Sequence, residues 1–233
     1  MPVVATAAWA ISKSVAHHFP AHGTGLNRYA TVLRGVEINS TFYRHHRLST
    51  YARWAASVPD DFRFALKMPK AITHERRLNK IAPLFSSFLE EISPLGDKIG
   101  PLLCQLPASL SFDAQLGDTA FAEMRARYEG QIVIEVRHKS WAAPAAVDML
   151  EQYGIDRVLA DPAPVWQKSD FTQAPFYIRL HGTPKIYYSS YCDDDIHEFA
   201  TLLAAESWCV FDNTASGAAV ENALTMIKEL RRE

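Results

Sequence analysis

The chain reads as an α/β protein, a single, slightly irregular (β/α)8 barrel of the TIM type filling residues 1–233 as one domain. Three observations predict this. Eight short apolar runs alternate with one-sided helical stripes along the whole length. Most runs end in a charged or amide residue, as strands do when their ends face a shared wet pocket. No glycine-rich turn follows the first run, and Gly23-Thr-Gly25 lies far from it and lacks a third glycine, which argues against an open doubly wound sheet. Strict alternation implies parallel strands with right-handed crossovers, and eight such units close into a barrel.

In chain order, the first strand is expected at residues 3–8, and its helix carries Leu26, Tyr29, Ala30 and Leu33 at i, i+3, i+4, i+7. Strand two, at 36–39, precedes the stripe Tyr51, Trp54, Ala55 and Val58. Strand three, at 63–66, precedes Ile81, Leu84, Phe85, Phe88 and Ile92. Strand four, at 102–105, is followed by a weaker stripe of Phe121, Met124 and Tyr128. Strand five, at 132–136, leads to Ala146, Met149, Leu150 and Tyr153, with Ser140 as cap, Pro144 in the first turn and Gly154 past the end. After strand six, at 157–160, the segment 161–175 holds Pro162, Pro164 and Pro175 and is expected as a loop replacing the helix. Strand seven, at 176–180, precedes Ile196, Phe199, Ala200 and Leu203, a helix opened by Asp193, Asp194 and Asp195. Strand eight, at 208–211, precedes Val220, Ala223, Leu224 and Ile227 after Ser216-Gly217.

With 48% hydrophobic and 21% charged residues, the chain can build a sizeable core. A net charge of −2 gives no global attraction to nucleic acid or anionic lipid. Cys104, Cys192 and Cys209 match no zinc spacing and are expected as reduced thiols of a cytoplasmic protein. The first residues lack a basic n-region, and no apolar stretch approaches the roughly 20 residues that span a bilayer, so no membrane contact is expected.

Side chains alternate in direction along a strand, so Glu37 with Asn39, Glu135 with Arg137, and Arg179 with His181 each share a face. Ile38, Val136 and Leu180 take the opposite face and suit a helix layer, which turns the charged pairs toward the mouth. Trp9, Lys67, Gln105, Asp161, Asp212 and Asn213 end or follow other strands and join the same expected ring. Arg137 and Arg179 suit a carboxylate or phosphate, Glu37 or Glu135 a general base, and His181 proton transfer near neutral pH. Glu37 and Glu135 could also flank a scissile bond. Against this stands a buried ion-pair network that satisfies itself and does no chemistry. His17-His18, His22 and His45-His46 match no compact metal site. Tyr187, Tyr188 and Tyr191 could stack on a ligand or pack their loop, and His74 could line the mouth or cap a helix.

These residues also carry a resemblance. Val36-Glu37-Ile38-Asn39-Ser40-Thr41-Phe42-Tyr43, Pro59-Asp60-Asp61-Phe62-Arg63-Phe64 with Lys67, Ile72-Thr73-His74, and Leu102-Leu103-Cys104-Gln105-Leu106-Pro107 recur in order. Glu135-Val136-Arg137-His138-Lys139-Ser140-Trp141, Tyr177-Ile178-Arg179-Leu180-His181-Gly182 and Phe211-Asp212-Asn213 complete the set. The chain resembles the YecE-like family, the domain of unknown function 72, which implies a TIM barrel and no established activity. It departs from the family pattern twice. Ala5-Thr6-Ala7-Ala8-Trp9 replaces a Gly-Thr-Ser-Gly-Trp-like start, and Phe211-Asp212-Asn213-Thr214 replaces Phe-Asn-Asn-Asp-like.

The expected function is acid–base chemistry of hydrolase or isomerase type on a small anionic or polyhydroxylated substrate, one that carries phosphate in one version. Glu37, Glu135 and His181 are the expected catalytic residues. Trp9, Asn39, Tyr43, Lys67, His74, Gln105, Arg137, Asp161, Arg179, Asp212 and Asn213 are the expected binding residues. No cofactor and no metal ligand is expected. The alternatives are a non-catalytic module binding a metabolite or nucleic acid, and divalent-metal-assisted phosphodiester hydrolysis through Glu37, Glu135, Asp161 and His181. Arg76, Arg77 and Lys80 motivate the nucleic-acid version, and the acidic net charge weighs against it.

Overall fold

The computed structural model describes residues 1–232. Its eight strands are β1 (Val3–Thr6), β2 (Gly35–Ile38), β3 (Arg63–Lys67), β4 (Ile99–Gln105), β5 (Ile132–Glu135), β6 (Ile155–Asp161), β7 (Tyr177–Leu180) and β8 (Trp208–Phe211). All pair in parallel, in the order β1-β8-β7-β6-β5-β4-β3-β2. The seam between β1 and β2 carries a single bridge, Ala7 to Glu37, and a hydrogen bond of 3.0 Å from Ala8 N–H to the Glu37 carbonyl. Tyr29 supplies what the short ladder lacks. Its hydroxyl accepts from Thr6 N–H at 3.0 Å and donates to the Gly35 carbonyl at 3.0 Å, closing a (β/α)8 barrel through a side chain.

The helices are α1 (Gly25–Tyr29), α2 (Ser40–Tyr43), α3 (Leu48–Ala56), α4 (Ala82–Ile92), α5 (Ala114–Arg125), α6 (Pro144–Gln152), α7 (Asp193–Ala200) and α8 (Ala218–Glu229). Every expected helix is present, and α2 is additional. Asn39, expected as the last residue of strand two, adopts φ −86° and ψ −18° and already leads into α2. The stripe from Leu26 to Leu33 forms only the short α1 followed by turns. Ser140 does not cap α6, whose N-cap is Ala143. It sits in the 3-10 turn Lys139–Ala142 and accepts from Phe112 N–H at 2.7 Å. Between β6 and β7 only a 3-10 turn, Lys168–Asp170, interrupts the loop, as the prolines require.

The apolar interior has two parts. Ile38, Val136 and Leu180 join the large cluster between strands and helices. Ala5, Ala65, Leu103, Val133, Val158, Tyr177, Trp208 and Val210 fill the barrel itself. Trp208 plugs the N-terminal end, where a Cβ on Gly100 would lie 2.9 Å from its ring and one on Gly35 would lie 3.0 Å away. With that end closed by an aromatic floor, polar side chains collect at the C-terminal end.

Candidate active site at the barrel mouth

Above the Val133–Tyr177 layer, the next inward positions are Glu37 on β2, Lys67 on β3, Gln105 on β4, Glu135 on β5 and Arg179 on β7. Asp212 and His181 follow β8 and β7 directly. Arg179, 1% exposed, is the centre. Its Nε and Nη2 grip Glu37 at 3.0 and 2.7 Å, Nη1 donates to Glu135 at 2.9 Å, and Nη2 lies 3.0 Å from Asp212. Tyr177 donates to Glu37 at 2.7 Å, and Arg137 donates to Glu135 at 3.1 Å. His181 Nδ1 bonds Asp212 at 3.0 Å.

Burial alone would discharge Arg179, but Asp212, Glu37 and Glu135 outweigh it and raise its proton affinity well above the ordinary arginine value. Burial likewise opposes the charge on Glu135, yet His181, Arg179 and Arg137 hold its carboxyl well below the usual range. Asp212 is also held low: burial is overcome by Arg179 and His181. For His181, burial favours the neutral ring, while the charge of Glu135 and the hydrogen bond to Asp212 prevail and raise its pKa. Lys67 goes the other way, because burial and Arg179 bring its ammonium down to about 8.

A cleft of about 170 Å³ opens at the mouth, lined by Glu135, Arg137 and His181 together with Pro162, Ala163, Pro164 and Ile186. His181 Nε2 lies 3.3 Å from Glu135 Oε1 without hydrogen-bond alignment, and is buried with no hydrogen-bond partner among the described residues. Clefts of about 410 and 520 Å³ lie on the flanks, against α6 and α8, away from these charges. The mouth is the smaller space, but it is the one lined by the ionised cluster.

The structure thus brings together Glu37, Glu135, Arg137, Arg179, His181 and Asp212, with Lys67, Gln105 and Asn39 beside them. Asn39 Nδ2 is 3.5 Å from Asp212 Oδ1. His74 stands at the rim, edge-on to Phe42 at 4.8 Å, its pKa lowered by partial burial and by Lys67 and Arg137. Four expected binding residues lie elsewhere. Asp161 has the opposite parity to inward-facing Val158, and its carboxylate accepts from Tyr191 at 2.8 Å and Thr183 at 2.9 Å. Asn213 ties α8 to the loop after β7, donating to the Asn222 side chain at 2.8 Å and the Ser189 carbonyl at 2.9 Å. Trp9 packs edge-on to Trp54 at 5.2 Å, and Tyr43 is 71% exposed. Nor do Glu37 and Glu135 flank an open space, because the Arg179 guanidinium lies between them. Sequence reasoning passed over Tyr177, although it shares strand parity with Arg179. It also missed Phe42, which lies under Lys67; Tyr187, expected either to stack on a ligand or to pack its loop, stands edge-on to His181 at 5.9 Å. Phe42 comes from the single turn α2 and Tyr187 from a loop, where no periodicity assigns a direction.

Among the described residues, no group of three or more His, Cys, Asp or Glu is arranged to hold a metal ion, and the carboxylates that could converge on one converge on Arg179. The three cysteines are unpaired, Cys104 and Cys209 buried and Cys192 exposed, and no described helix is long and apolar enough to cross a membrane.

Fold and site together define a TIM-barrel protein with an ionised mouth. The family model described as "Protein of unknown function DUF72" matches residues 3–233, and the chain belongs to that family. It is 33% identical over 157 residues to the UPF0759 protein YecE of Escherichia coli K12, a match covering 61% of this chain and 54% of that protein. The match therefore takes in only about half the length of this curated relative. A DUF72 family protein from Thermotoga maritima MSB8 superposes with a TM-score of 0.83 at 24% identity, covering 99% of each chain. One from Enterococcus faecalis V583 gives 0.82 at 22% identity, covering 99% of this chain and 96% of that one. At these identities the two structures speak for the fold.

Proposed function

We propose that the mouth performs acid–base chemistry, of hydrolase or isomerase type, on a small anionic or polyhydroxylated substrate. One observation carries this reading: Asp212 holds the ring of His181, a residue lining the cleft, through Nδ1, and the buried Nε2 has no hydrogen bond among the described residues and lies 3.3 Å from Glu135. A ring oriented by one carboxylate at Nδ1, with a second carboxylate 3.3 Å from Nε2, is how an imidazole is prepared for proton transfer. With its pKa raised, His181 is the proton donor in this reading, Glu135 its neighbouring base, and Arg137 the anchor for an anionic group. The test is a thermal-shift screen of phosphosugars and sugar acids, repeated on His181→Asn. A hit shared by wild type and variant, with turnover confined to the wild type, is expected. A ligand turned over equally by both removes His181 from the chemistry.

A second reading has its own support. Arg76, Arg77 and Lys80 are exposed and form no ion pair among the described residues, and Tyr43, Tyr187 and Tyr188 are exposed as well. Phosphates on the former and bases on the latter would make a single-strand nucleic-acid surface. Oligonucleotide binding that weakens steeply with salt is its signature. Metal-assisted phosphodiester hydrolysis finds less support, since Arg179 fills the position between Glu37 and Glu135.

A further inference from the structure

Lys67 is the cation of the mouth that has no counter-ion. Arg179, Arg137 and His181 each lie within ion-pair distance of a carboxylate, whereas Lys67 forms no ion pair among the described residues, although it is only 9% exposed. Its Nζ instead stands 4.4 Å from the centre of the Phe42 ring. The charges that act on it come from several strands. Arg179 opposes its charge, while Glu37, Glu135 and Asp212 favour it but are themselves engaged by Arg179, Arg137 and His181. His74, on the adjoining turn, feels its charge in turn. A lysine meant to hold the network together would touch a carboxylate. Desolvation beside another cation is instead the environment that makes an amine a nucleophile. With the ammonium brought down to about 8, roughly a tenth of the amine is neutral at pH 7, against under about one part in a thousand for an ordinary lysine.

We propose that Lys67 is an amine nucleophile and that the mouth takes a small hydroxylated aldehyde or ketone, which Lys67 captures as an imine. The proposal rests on the mouth being a ligand site, as proposed above, and names the substrate class. In the first step the Nζ lone pair forms a bond to the carbonyl carbon, the C=O π pair moves to oxygen, and oxygen takes up a proton. The nitrogen loses one proton, the hydroxyl leaves as water with another, and the nitrogen pair closes the C=N bond. In sum, amine, carbonyl and one proton give iminium and water. The iminium then acidifies the neighbouring C–H, which is the demand an isomerisation makes of a nearby carboxylate.

The experiment is reductive trapping. The protein is incubated with glycolaldehyde and sodium cyanoborohydride across pH 6–10, and the secondary amines formed are mapped by peptide mass. At pH 7, labelling of Lys67 is expected to exceed that of exposed Lys139 and Lys185 at least tenfold, with a midpoint near 8. Labelling of Lys67 no faster than these surface lysines, or with a midpoint near the ordinary value of about 10.4, overturns the proposal. The readout is selectivity within the wild type, so it survives even if Lys67→Arg fails to fold. Inorganic phosphate and D-glyceraldehyde 3-phosphate separate the two readings. A thermal shift by both with no adduct at Lys67 makes Lys67 an anion anchor, which overturns the imine and leaves the mouth as a ligand site. No shift and no adduct remove both.

Discussion

Arg179 shows what one side chain does in a dry place. It pairs with three carboxylates, so its loss leaves buried negative charge under-compensated rather than merely deleting contacts. Arg179→Met is expected to destabilise the fold by about 3–5 kcal/mol in urea unfolding, whereas replacing Arg179 and Glu37 together should cost less than the sum of the single changes. Ala8 is a second residue with a definite cost. It has φ 84°, in the left-handed region, at the position where the family resemblance expects glycine. Ala8→Gly should therefore raise stability by roughly 0.5–1 kcal/mol, the relief of the Cβ clash less the added chain entropy of glycine. Proton linkage gives a third expectation. His181 holds its proton more tightly when folded, so its contribution is full below about 6.5 and is lost as pH rises through its higher native value. Asp212 and Glu135 lie below the ordinary carboxylate range, so theirs is full above about 4.5 and is lost as pH falls through their native values. These three groups together place the maximum of urea stability at mildly acid pH, and His181→Asn should flatten its alkaline side. At this scale strand parity made Glu37, Glu135, Arg179 and His181 legible from sequence. Asp161 joins the expected ring only because it follows a strand, and its parity relative to inward-facing Val158 turns it the other way.

Strands and helices were legible where apolar side chains repeat, and lost where hydrogen bonding decides instead. The stripe through Phe85 and Phe88 gave α4, and the prolines of 161–175 gave the missing helix. The single turn α2 has no such repeat, and Asn39 bends into it because a helical conformation lets Thr41 donate to the Ile38 and Lys67 carbonyls at 2.9 and 2.6 Å. The barrel floor is a property of elements packed together. Trp208 of β8 needs the bare backbone of β4 at Gly100, so Gly100→Ala should force the ring aside and cost about 1–3 kcal/mol, read as a lower denaturant midpoint. The loop after β7 depends on Gly182 in the same way, because φ is +94° and an added Cβ would sit 2.7 Å from the Ser189 carbonyl oxygen.

The molecule as a whole closes through its weakest ladder. Tyr29 bridges β1 and β2 from outside the sheet, so Tyr29→Phe leaves Thr6 N–H and the Gly35 carbonyl buried and unpaired there. A loss of about 1–3 kcal/mol is expected, with amide exchange quickened at β1 and β2 ahead of β4 and β5. Equal acceleration in all strands would mean that the seam does not open independently. Closure was legible from the number of strands, but the uneven strength of the seam was not, since it depends on a tyrosine that periodicity assigns only to the helix layer. The charged mouth carries a consequence for the order in which the protein can be made. Its members are Glu37, Glu135, Arg179 and Asp212, and the central cation is encoded after both glutamates that surround it. While the chain emerges from the ribosome, five strands can assemble with Glu37 still lacking its guanidinium and Glu135 held by Arg137 alone. Commitment to the native barrel must then wait for β7, and a truncated product ending before it keeps a reason to stay open.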